Sequence, residues 1–301
     1  MNREDFPMLN TNYIYLDNGA TTWKPKCVVD KINEYYTKYT ANAHRGDYDI
    51  SLKVDNEYEN ARDLVKEFIN AKTRQEIVFT SGTTNSLNMI VDGAQSVPHI
   101  KTDVQDLDCD FLAFSGHKIC GPTGIGILYG KYELLNELEP QNLGGGMNES
   151  FDSIEEVYLK PLPTRLEAGT PNIEGAIGLG ASIEYLTKIG LDNITTHEQT
   201  LRNYLVKELK QIPHITIVNE ESDSGIVAFN VDDVFAQDVA VYLNKYNVCV
   251  RAGNHCAKIL KNEVGVKNTV RVSIYLYNTK EEIDTLINLL KDKNKILNEM
   301  L

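Results

Sequence analysis

The stretch SGHKICGPTGIG at residues 115–126 decides how this chain is read. It follows FLAFS at 111–115, which has the length and apolar character of a buried strand, and it leads into a second strand, GIGILYG at 124–130. Gly and Pro between the two turn the chain sharply. Lys118 therefore falls at the carboxyl end of a strand, where open α/β sheets form their ligand crevices. A lysine amine placed there can condense with an aldehyde if its surroundings lower its pKa. Ser115 and His117 stand beside it as hydrogen-bond donors for an anion.

Upstream, EIVFT at 76–80 reads as a short buried strand, and SGTTNS at 81–86 follows it. Backbone N–H groups and the Thr83 and Thr84 hydroxyls at the start of a helix make a phosphate cradle. DGAQ at 92–95 offers a carboxylate, Asp92, of the kind a protonated pyridine nitrogen needs, and Gln95 can reach a ring oxygen. Separately, each string is commonplace, an N-cap in one case and an Asp-Gly turn in the other. Together with Lys118 they supply a phosphate site, a ring-nitrogen partner and an aldehyde trap, which are the parts of a pyridoxal-phosphate site.

A fourth string, RAGNHCA at 251–257, places Cys256 in a loop after an expected strand. Neighbouring Arg251 and His255 favour its thiolate, and Arg271 on the next strand can grip a carboxylate bidentately. The other cysteines, Cys27, Cys109, Cys120 and Cys249, are scattered without a CxxC pair. That excludes a disulfide framework or a zinc site and leaves most of them as buried small hydrophobes.

Around these motifs, helices are expected at 27–40, 52–70, 174–190, 192–212 and 236–246, with strands at 214–218, 225–231, 248–252 and 269–277. Thr279 and Glu282 form a capping box for a final amphipathic helix. The alternation in the first half predicts an α/β layer with parallel pairing. We expect a large domain over 21–181 and a smaller α+β domain made of 1–20 and 182–301. At 301 residues, 42% hydrophobic and 24% charged, the composition is that of a soluble globular protein. A net charge of −13 argues against a nucleic-acid or anionic-membrane partner. No apolar run is long enough to span a membrane, and MNREDFPMLN lacks a signal-peptide pattern, so a cytoplasmic location is expected.

The strings YLDNGATT, ANAHRG, FTSGTTNS, DGAQSVPH, DFLAFSGHKICGPTGIGILYG, EAGTPN, RAGNHCA and VRVSIYLYNT resemble the cysteine desulfurase and selenocysteine lyase group of the class V aminotransferases. They stand in that family's order from residue 15 to the C-terminal helix. The resemblance implies the α/β fold of the fold-type I pyridoxal-phosphate transferases, with pyridoxal 5'-phosphate as cofactor. It implies Lys118 as the Schiff-base lysine, Asp92 on the pyridine nitrogen, Gln95 on the ring oxygen, and Thr83, Thr84, Ser115 and His117 on phosphate. Thr170 of EAGTPN is implied to reach the phosphate of a neighbouring subunit, hence a homodimer. Arg271 is implied to hold the substrate carboxylate, with Arg251 and His44 also on the substrate side. Cys256 is implied to take sulfur from L-cysteine (or selenium from selenocysteine) as a persulfide, releasing alanine and passing sulfur to an acceptor protein, as in iron–sulfur cluster assembly. Asn254 stands where many members have His.

The family pattern breaks between Thr84 and Asp92. Family members separate these motifs by several strands and helices, whereas here only NSLNMIV intervenes. Roughly 90–100 residues are missing, about three βαβ units. The ring-stacking His and an Asn of the family have no counterpart. A helix over 83–91 would carry the chain about 12 Å from the cradle, away from a shared site, so a shortened sheet is expected. The alternatives are an inactive truncated member, or another class V activity in which Cys256 is incidental.

Overall fold

The computed structural model describes residues 3–44, 48–82, 91–151, 157–255 and 265–299. In its first half the chain forms β1 (Ile14–Tyr15), α1 (Lys26–Lys38), α2 (Asp49–Phe68), β2 (Ile77–Thr80), β3 (Val91–Asp92), β4 (Phe111–Ser115) and β5 (Gly126–Gly130). Next come α3 (Tyr132–Glu137), β6 (Asn148–Phe151), β7 (Val157–Leu159), α4 (Ile173–Ile189) and α5 (Leu191–Leu209). The last third holds β8 (Ile215–Ile217), β9 (Ile226–Val231), α6 (Ala236–Lys245), β10 (Val248–Cys249) and β11 (Arg251–Gly253). β12 (Thr269–Ser273), α7 (Lys280–Leu290) and α8 (Lys293–Asn298) complete the chain.

Two compact units result, one of Trp23–Leu191 and one of Met1–Thr22 with Asp192–Leu301. The division falls ten residues beyond the expected 181/182, because all of α4 belongs to the first unit. Ten of its residues are buried, in contact with α1 and α2. Its Gly178 and Gly180 let it approach closely: a Cβ at Gly178 would lie 2.7 Å from Pro122 and 2.9 Å from Ile32.

The Trp23–Leu191 unit is built on a four-stranded sheet in the order β2-β5-β4-β3. Parallel pairing was expected, yet only β3 and β4 run parallel; β5 is antiparallel to both β2 and β4. The reason is connection length. The ten residues between β4 and β5 are too few for a helical crossover, so the chain must return beside itself in the opposite sense. The sheet is short, as expected, and β3 has only two residues.

In the other unit, β11-β12-β9-β8 form an antiparallel sheet, and β1 pairs with β10 in parallel. Leu205, Val227, Phe229, Val270, Val272 and Leu286 are fully buried in its core. The strand expected at 248–252 is two strands in two different sheets, β10 and β11. The strand expected over 269–277 ends at Ser273; Ile274–Tyr277 continue as buried chain outside the ladder. The capping box is formed: Thr279 Oγ1 accepts from the Glu282 N–H at 3.3 Å, and Glu282 accepts from the Thr279 N–H at 3.1 Å.

Candidate active site

Strand directions bring the motifs together. β2 and β4 are each antiparallel to β5, so they point the same way, and β3 is parallel to β4. The carboxyl ends of β2, β3 and β4 therefore lie at one end of the sheet. SGTT, DGAQ and SGHK begin at those ends. Thr80 and Ser115 even share one partner, Gly126. A Cβ at Gly126 would sit 2.6 Å from Gly82 Cα, so only glycine permits this approach. On the other side, Gly82, at φ +148°, faces Ser115, whose Oγ would be 3.7 Å from a Cβ there.

The same topology bears on the short connection from Thr84 to Asp92. Three strand spacings separate β2 from β3, about 14 Å, and nine extended residues reach about 30 Å. A two-residue β3 needs little room to re-enter the sheet, so both motifs keep the same end. Of the helix expected over 83–91, residues 83–90, with Thr83 and Thr84, lie outside the described residues, and Val91 is in β3 instead.

Lys118 closes a one-turn 3-10 helix, Gly116–Lys118, directly after β4. The turn is tight: a Cβ at Gly116 would meet Ile125 at 2.7 Å. Cys120 then takes a left-handed backbone, φ 62°, which reverses the chain toward Gly121. Ser115 is buried and His117 half-buried. Burial, with the charges of Lys118 and Lys24, pushes the His117 imidazole below its ordinary value, leaving it neutral at pH 7. Asp92 ends β3, is exposed, and accepts from the Ala94 N–H at 2.9 Å. Gln95 is exposed one turn further on.

A hydroxyl, an imidazole, an amine and a carboxylate thus border one sheet end, with a Gly82–Gly126 approach too close for any side chain. This donor set is of the kind pyridoxal phosphate needs: a hydroxyl and an imidazole suit a phosphate, an amine suits an aldehyde, and a carboxylate suits a ring nitrogen.

The other predicted residues divide between the units. Thr170 lines a cavity of about 800 Å³ in the Trp23–Leu191 unit, together with Tyr58, Phe79, Ser81 and Glu167; Lys118 and Asp92 are not part of it. His44, at φ 58°, is held on α2, with Nε2 at 3.4 Å from Glu59 and Nδ1 at 3.7 Å from Asp55. The Glu59 bond raises the His44 pKa against the effect of burial. Despite its own burial, Glu59 is drawn down to about 2 by His44 and Arg62.

In the second unit, Arg251 and Arg271 stand opposite each other across β11 and β12. Arg251 is exposed, whereas Arg271 is buried and donates from Nη2 to Asp17 Oδ1 at 2.7 Å. Arg271 Nε and Ser273 Oγ are both buried with no hydrogen-bond partner, which leaves donors free for a carboxylate. A Cβ at Gly19 would lie 3.0 Å from Ser273 Oγ and 3.3 Å from Arg271. His255 Nε2 lies 3.0 Å from the Thr269 carbonyl. Cys256, next in sequence, lies outside the described residues. Of the four described cysteines only Cys120 is buried; Cys27 is exposed, contrary to expectation.

The class V aminotransferase family model, described as Aminotransferase class-V, matches residues 14–91 and 89–286. The chain belongs to this family. The match is in two pieces that meet at 89–91, where the sequence breaks the family pattern. A probable cysteine desulfurase of Halalkalibacterium halodurans is 35% identical over 383 aligned positions, covering 93% of this chain and 94% of that protein. Since 93% of 301 residues is about 280, roughly a hundred of those positions fall opposite no residue of this chain. The apo structure of a cysteine desulfurase from Thermococcus onnurineus NA1 superposes with TM-score 0.92 at 31% identity, over 98% of this chain and 97% of that one. A cysteine desulfurase from Escherichia coli gives 0.89 at 29% identity, over 99% and 98%. The fold is therefore that of the fold-type I family.

Two groups carried no signal in the sequence. Lys24 is half-buried and donates from Nζ to the His117 carbonyl at 3.0 Å. Arg62, 1% exposed, pairs with Glu167 at 2.8 Å. Helical spacing puts Arg62 on the inner face of α2, but only the fold shows what it meets there.

Proposed function

We propose that this chain is a pyridoxal-phosphate-dependent cysteine desulfurase that converts L-cysteine to L-alanine and carries the sulfur on Cys256. The observation that supports this reading is the shared direction of β2, β3 and β4, which sets Lys118, Asp92 and Ser115 at one sheet end. When bound, the cofactor supplies an electron sink for chemistry at the amino acid's α-carbon. Lys118 holds the aldehyde and moves the α-proton through Nζ. Asp92 keeps a proton on the ring nitrogen, and Gln95 orients the ring oxygen. Ser115 and neutral His117 bind phosphate with Thr83 and Thr84, and Thr170 reaches the phosphate of a second subunit in a homodimer.

Arg271 grips the substrate carboxylate, with Arg251 and His44 as supporting substrate-side groups. The Cys256 thiolate takes the sulfur: the Cβ–S bond of cysteine breaks, an S–S bond forms at Sγ, and alanine leaves with the proton that balances it. The relatives' name makes cysteine the first substrate to try, with selenocysteine behind it. A protein thiol is the acceptor that a persulfide on Cys256 would serve, and the cytoplasm is the compartment that keeps such a thiol reduced.

One observation favours a second reading, a family member without turnover. β3 is two residues long, and Val91 is 49% exposed at the sheet margin where the family match breaks. The test is alanine release from L-cysteine together with the mass of Cys256. The desulfurase reading expects alanine and a persulfide of one added sulfur on Cys256, with Cys256→Ser binding cofactor but retaining no sulfur. A folded, cofactor-loaded chain that releases no alanine supports the second reading, and sulfur found on a different cysteine moves the role.

A further inference from the structure

The loop that carries Thr170 is fastened at three places, and its first residue, Glu167, is the most heavily bonded. Glu167 Oε1 accepts from Arg62 Nη1 at 2.8 Å and from the Phe79 N–H at 2.7 Å. Oε2 accepts from Arg62 Nη2 at 3.0 Å and from the Tyr58 hydroxyl at 3.2 Å. A carboxylate has about four acceptor sites, and here each oxygen takes two donors. Further along the loop, the Gly169 N–H donates to the Gly145 carbonyl at 2.9 Å. At the far end, Asn172 Nδ2 donates to the Gly124 carbonyl at 2.7 Å, while Oδ1 caps α4 by accepting from the Gly175 N–H at 2.9 Å. Thr170 itself is exposed between these anchors.

The partners of Glu167 show what its anchor does. Arg62 and Tyr58 belong to α2, and Phe79 to β2, the strand that leads into SGTT. Covering the edge of β2 at Phe79 requires an acceptor for one N–H, and any neutral oxygen would serve. Instead the acceptor is a carboxylate 88 residues away in sequence, paired with a guanidinium that is 1% exposed. A bidentate pair of this kind fixes direction as well as distance. Three residues of chain span at most about 11 Å, so the bonds of Glu167 limit where the Thr170 hydroxyl can reach. The Phe79 bond ties that limit to the strand that ends in the phosphate string.

We propose that Glu167, held by Arg62, is a positioning residue for Thr170: it registers the EAGTPN loop against β2 and so presents the Thr170 hydroxyl to a phosphate. The Glu167 carboxylate is occupied and negatively charged, so it acts on a phosphate only through the loop. The inference rests on the reading of Thr170 as a phosphate contact in a homodimer. A purely structural role makes a different prediction. If the pair only holds the fold, an apolar pair that restores stability restores phosphate binding as well. If it registers the loop, a leucine at 167 cannot accept from the Phe79 N–H, and the phosphate contact stays lost in a stable chain.

The experiment measures, on the full-length chain, the dissociation constants of pyridoxal 5'-phosphate and of pyridoxal, which lacks the phosphate. Their ratio isolates the phosphate contacts. Thr170→Val sets the scale and should lower the preference for the phosphorylated form at least about tenfold, the worth of one hydrogen bond to a charged group. Glu167→Leu combined with Arg62→Met, checked for near-parent stability by urea unfolding, should lower it by a similar factor. Adding Thr170→Val to that pair should bring no further loss, because the contact is already gone. Glu167→Gln, a milder change that keeps one acceptor oxygen, should fall between parent and pair. Without cofactor, amide exchange in a peptide covering 166–172 should be faster in the paired variant and unchanged in Thr170→Val. A stable paired variant with the parent preference overturns the inference. So does a loss that adds in full to that of Thr170→Val, or an unchanged exchange rate. Failure of the functional reading looks different: the parent chain binds neither compound, or Thr170→Val keeps the parent preference.

Discussion

The two edges of the four-stranded sheet are built differently. At β2 the outward-facing backbone is covered by a buried ion pair. Arg62 Nη1 donates to the Ile77 carbonyl at 2.7 Å, and the Phe79 N–H donates to Glu167 Oε1 at 2.7 Å. Arg62 and Glu167 bond each other at 2.8 and 3.0 Å, and the guanidinium lies 4.5 Å over the Phe79 ring. At β3 the described residues provide no such cover: two residues, both exposed, end the sheet. One edge has side chains devoted to it; the other lies where about a hundred residues of the relatives have no counterpart. Edge strands that belong to a fold carry protection, and an edge left by a missing neighbour does not.

The largest effect should come from uncovering the protected edge. Glu167→Leu leaves Arg62 charged and without its main partner, so urea unfolding should show a loss of about 3–5 kcal/mol. Pairing it with Arg62→Met should restore much of that, because the cost lies in the orphaned charge. A loss below about 1 kcal/mol in the single variant would mean that the pair does not hold β2. At the other edge, Val91→Lys should change stability by only about 0.5 kcal/mol, while lowering concentration-dependent self-association seen by light scattering. Unchanged association would show that the β3 edge is not adhesive.

What was legible in the sequence follows the same division between local and distant causes. FLAFS, the Gly-rich turn after it and the Thr279–Glu282 box are specified by neighbours a few residues away, and each formed where the sequence put it. The antiparallel insertion of β5 was missed because alternation of strands and helices does not report direction; connection length did, and the ten residues after β4 could have been used. The split of β10 from β11 and the early end of β12 depend on which sheet each segment joins. Lys24 and Glu167 look ordinary in sequence, because their partners lie tens of residues away. Asp92 was legible as a motif, but its exposure at the sheet margin was not.

The central claim is that Lys118, Asp92 and Ser115 still form one cofactor site despite the missing block. The direct measurement is the visible absorption spectrum of the purified chain with added pyridoxal phosphate, beside Lys118→Ala. The account predicts a visible band, as expected for a lysine-bound pyridoxal group, that is absent from the variant. A folded chain with no such band, or one whose band is the same in Lys118→Ala, would contradict it.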